Sequence, residues 1–82
     1  MSDSQFVDGE MYFVLLDTLT EIEEEIRSNG HSNVEKARLF HQLGSIYGLM
    51  GEMNQQKFSW QKAVELDPQS KIFQQSLASL LG

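Results

Sequence analysis

The chain has 82 residues, no cysteine and a formal net charge of −6. That length sets one domain, near the lower limit for a self-sufficient core, and the lack of cysteine excludes disulfides, thiolate chemistry and the commonest zinc ligands. The charge is uneven: residues 1–30 hold eight carboxylates against Arg27 alone, a net −7, whereas residues 31–82 hold five basic and four acidic side chains, a net +1. No basic stripe is present to meet phosphates, so nucleic acid is not an expected partner.

The opening Met1-Ser2-Asp3-Ser4 has no basic region ahead of an apolar core, so no secretory leader is expected. A helix is predicted over residues 8–29, because Met11, Leu15, Leu19, Ile22 and Ile26 recur at helical spacing. Its beginning is apolar around the whole circumference from Met11 to Leu16, with Phe13 opposite the stripe. That run is far too short to span a bilayer, so no membrane association and a cytoplasmic location are expected. Either the helix is wedged between two neighbours, or Met11, Tyr12, Phe13 and Leu16 dock another chain. Glu21, Glu23, Glu24 and Glu25 crowd the helix end where the macrodipole is already negative, at roughly 0.3 kcal/mol each or more. They read as a solvated face or a strip for a basic partner. Neighbouring carboxylates splay around a helix axis, so no metal site is expected.

Asn29-Gly30 supplies a stop, and Ser32-Asn33-Val34-Glu35 has the spacing of a capping box. A second helix follows over residues 33–50, with Ala37, Phe40, Leu43, Gly44, Tyr47 and Met50 on one arc. Gly44 on that arc admits a close neighbour, and Gly51 can take the left-handed conformation that ends a helix. A third helix spans residues 54–66, with Trp60, Ala63 and Val64 inward, and Asp67-Pro68 halts it. A fourth, amphipathic segment over residues 69–81 carries Ile72, Phe73, Leu77, Leu80 and Leu81.

Residues 37–70 resemble one complete 34-residue tetratricopeptide repeat. The slots of that family hold Phe40, Leu43-Gly44, Tyr47, Gly51, Trp60, Ala63 and Pro68. Gln56 departs from the pattern, which has a small Ala there; it either hydrogen-bonds a carbonyl across the helix pair or widens the packing. The resemblance implies an all-α fold of antiparallel helical hairpins, a fragment of right-handed superhelix with about four helices in a single domain over residues 1–82. It also implies that Arg38, His41, Gln42, Ser45 and Leu49, on the arc away from the core stripe, line a concave groove for extended peptides or partner helices. Phe58 projects from the outer side of the third helix and is a further candidate contact.

Neither His31 nor His41 has an evident partnering carboxylate, and His31 reads as a solvated loop residue. No phosphate loop or nucleophile arrangement is present. No enzyme activity and no cofactor are therefore expected. The reading is a small adaptor or chaperone subunit that binds another protein or a short or helical peptide. Its alternatives are a self-assembling module, as a homodimer or domain-swapped oligomer, and a secretion-system subunit chaperone. One repeat falls short of the three or more that usually share a continuous core, so burial must come from the flanking helices or from a partner.

Overall fold

A computed structural model of the chain describes residues 9–81, which form four helices: α1 (Gly9–Arg27), α2 (Asn33–Leu49), α3 (Met53–Leu66) and α4 (Lys71–Leu81). No strand occurs among the described residues. The first predicted helix began at residue 8, which lies outside them.

The helix ends follow from local chemistry. Ser32 accepts from the Glu35 amide at 3.1 Å while the Glu35 carboxylate accepts from the Ser32 amide at 2.9 Å, so two otherwise orphaned donors are satisfied at the start of α2. These bonds, the Ser32 amide first and the His31 ring next, hold the Glu35 carboxyl below its ordinary range. At the other end Gly51 takes φ +80°, letting the Glu52 amide reach the Tyr47 carbonyl at 2.9 Å and the Gly51 amide reach Gly48 at 3.1 Å. That pair of bonds closes α2 as a Schellman motif. Asp67 leaves the helical conformation, at φ −139° and ψ 76°, before Pro68, which ends α3. The last helix begins two residues later than predicted, because Pro68 opens a turn in which the Ser70 amide bonds the Asp67 carbonyl. The Ser70 hydroxyl then accepts from the Phe73 amide, as a cap does.

Extensive packing joins only sequence neighbours: α2 with α3 most of all, then α1 with α2 and α3 with α4. Among the described residues the buried apolar side chains are few, namely Leu15, Leu19, Ala37, Leu43 and Ala63. Phe40, Tyr47, Trp60 and Val64, read as inward-facing, are only half-buried. The radius of gyration is 13.7 Å, against about 12 Å for a compact chain of this length, and the thinnest dimension is 16 Å. A thin, extended arrangement has little interior, which is why large side chains remain partly wet.

Side chains of α3 press on the α2 backbone where α2 has glycine. A Cβ on Gly44 would stand 2.3 Å from Trp60 Cδ1, and one on Gly48 would stand 2.2 Å from Gln56 Nε2. Gln56 is buried, with its amide end lying against the backbone at Gly48. Its bulk is therefore accommodated by the bare backbone at Gly48.

Candidate functional site

The predicted contact residues fall in three separate places. The first is the beginning of α1, where Met11, Tyr12, Phe13 and Val14 are 50%, 41%, 66% and 56% exposed. Leu16 is half-buried, while Leu15 and Leu19 are buried on the side facing the body. The first turns of α1 are thus less covered than its middle, with Tyr12 and Phe13 rings edge to face at 6.5 Å.

The second is the outer arc of α2, where Arg38, Gln42 and Leu49 are exposed. His41 departs from the expectation of an open groove residue. Its ring lies between Trp60, at a centroid distance of 5.3 Å, and Phe73, at 4.8 Å, and its Nε2 hydrogen-bonds Ser76 Oγ at 2.8 Å. The His41 carbonyl also accepts from Trp60 Nε1 at 2.9 Å and from Ser45 Oγ at 3.2 Å. Both His41 side-chain contacts with α4 occupy the arc that the resemblance assigns to a ligand, so His41 serves the packing of α2, α3 and α4, while the Ser45 hydroxyl bonds back within α2. Burial holds the His41 imidazole below its ordinary value, since the charged form would lose water among the rings.

The third is Phe58, 58% exposed, on the edge of a groove of about 310 Å³ between α1, α2 and α3. Ile26, Phe40 and Leu43 give it an apolar floor, with Glu23, Arg27, Tyr47 and Gln55 among its polar lining. Burial, with the hydrogen-bonded Glu23 carboxylate beside it, pushes the Tyr47 phenol above its ordinary value. Sequence reasoning missed this groove because it placed Phe40 and Tyr47 in a closed core.

His31 is also corrected. It is not a free loop residue: Nε2 lies 3.1 Å from the Glu25 carboxylate and Nδ1 3.5 Å from that of Glu35, with the side chain 23% exposed. The His31/Glu35 spacing of four residues was the available signal. The ring ties the end of α1 to the start of α2.

Among the described residues no group of three His, Cys, Asp or Glu is placed to hold a metal ion, and no helix is long and apolar enough to cross a membrane. Neither a protein-family model, nor a curated protein, nor a solved structure matches the chain. Geometry alone therefore supports the functional reading.

Proposed function

We propose that this chain is a non-catalytic, tetratricopeptide-like adaptor or chaperone subunit that binds another protein, or a short or helical peptide, through uncovered helix surfaces. The observation that carries the reading is the start of α1, where the successive residues Tyr12, Phe13 and Val14 stay 41–66% exposed. Contiguous apolar surface on a small protein marks an interaction site, and aromatic anchors dominate binding energy.

The α2/α3 pairing supports the family reading. Moving four residues forward on α2, from Gly44 to Gly48, matches four residues back on α3, from Trp60 to Gln56. That register supports an antiparallel hairpin, and Gly44 against Trp60 joins the Gly and aromatic slots of the resembled repeat. On this reading α4 stands where the next repeat would begin.

Capture from native lysate on immobilised chain, with wild type compared to Phe13→Glu, tests the function. Proteins retained by wild type and lost by a variant of unchanged far-UV circular dichroism support it. Identical capture by the two chains removes α1 as the binding surface.

A further inference from the structure

We propose that the groove between α1, α2 and α3 receives a tyrosine side chain from a basic segment of a partner protein, the phenol bonding the Ser59 hydroxyl. The inference rests on the reading of the chain as a protein binder, and names what is bound and where.

Ser59 carries the argument. It is 2% exposed, it lines the groove, and among the described residues its hydroxyl takes part in no hydrogen bond. Every fully covered side-chain oxygen among those residues has a partner, so the Ser59 hydroxyl opens on the groove. Beside Ile26, Phe40 and Leu43, a hydroxyl so enclosed gains nothing from burial unless something brings it a partner. The Tyr47 phenol in the same lining is already engaged by Glu23.

Size and rim choose the occupant. The volume of about 310 Å³ stands at the bottom of the about 300–1,000 Å³ usual for small-molecule and cofactor sites, which suits one or two side chains. A ring that fills an apolar floor and carries its polar atom at the far end, where it meets a deep hydroxyl, is that of tyrosine. The walls suit a ring as well. Phe58 on α3 is 58% exposed, and Arg27 on α1 makes no ion pair among the described residues, although Glu23 lies one turn before it. An aromatic face and a free guanidinium both attract an aromatic ring. Charge fixes what flanks the tyrosine. Glu21 and Glu24, on either side of Glu23, are exposed and unpaired on a chain of net −6, so lysine or arginine is attracted there and glutamate repelled.

Titration of the full chain followed by nuclear magnetic resonance tests this, with a short peptide holding one tyrosine between lysines, its phenylalanine counterpart, and a version with glutamates for the lysines. The tyrosine peptide should shift the amides of Tyr47, Phe58 and Ser59. The phenylalanine peptide should bind about fivefold more weakly, the net contribution of one neutral hydrogen bond. Ser59→Ala, which removes a single oxygen, should bind the two alike, and Phe58→Ala should weaken both. The glutamate peptide should bind less well than the lysine peptide, by a margin that shrinks with added salt. Equal affinity of wild type for the tyrosine and phenylalanine peptides overturns the proposal, whether or not the variants fold. So do shifts confined to the first turns of α1, or tighter binding of the glutamate peptide. Free p-cresol binding as tightly as the peptide would make the occupant a small molecule, and a wild-type dimer that the peptide dissociates would give the groove to a second copy; each overturns it. If no peptide binds while lysate proteins are still captured through Phe13, the groove reading falls and the function above stands.

Discussion

The α2/α3 pair and the outer helices solve opposite problems. In the pair, backbone without side chains at Gly44 and Gly48 receives the large side chains of Trp60 and Gln56, so contact is close and position is fixed. At the margins, large apolar side chains such as Phe13 and Ile72 remain about two thirds exposed. The difference teaches that rigidity here comes from where bulk is missing, and availability for binding from where bulk is unmatched.

The sharpest way to break the comparison is Trp60→Ala. It removes the stack on His41, the bond to the His41 carbonyl and the contact over Gly44, so a loss of about 3 kcal/mol, the lower end for a truncated aromatic, is expected in urea melts. Next is Gly44→Ala, where the new Cβ meets a rigid ring and something must shift; overpacking predicts a loss of about 1–3 kcal/mol. Gly48→Ala should cost less in the same assay, because it meets the end of the Gln56 side chain, which can rotate away.

A smaller effect comes from pH. The folded chain binds a proton at His41 less readily than the unfolded one, so the unfolded state gains protons first as pH falls. Stability from neutral His41 is full above the usual histidine value of 6.5 and declines as pH falls from there toward the lowered folded value. Urea midpoints should drop between pH 7.5 and 5.5, about the range of histidine titration, and His41→Phe should flatten that slope. Glu35 has the same sign but acts only below its ordinary value of 4.5, outside this range. Smallest is Phe13→Glu, expected to change monomer stability by no more than about 0.5 kcal/mol, as for an exposed surface site. A large loss in that variant would return α1 to the packed core and erase the contrast between centre and margin.

The interactions legible in the sequence were those confined to a few residues. The capping box at Ser32 and Glu35, the left-handed Gly51 and the stop before Pro68 each act within one turn of chain, so spacing alone reveals them. The exposed start of α1 was legible as a run with apolar side chains on every side. What stayed hidden depends on elements meeting at a distance. His41 reaches Ser76 across 35 positions, and its placement between two rings requires knowing where α4 lies. The groove exists because α1 and α3 do not close over Phe40 and Tyr47, which periodicity cannot report. The start of α4 was misjudged although its signal, Ser70 three residues before Phe73, was local; Pro68 suggested an earlier beginning.

The meeting of Gln56 with Gly48 also makes two distant positions answer to one another. A Cβ at 48 would claim space that the Gln56 amide occupies, so any larger residue there obliges that side chain to turn out of the helix contact. What position 48 can hold therefore depends on the rotamers open at 56, and substitutions at these two positions should be read as one joint state.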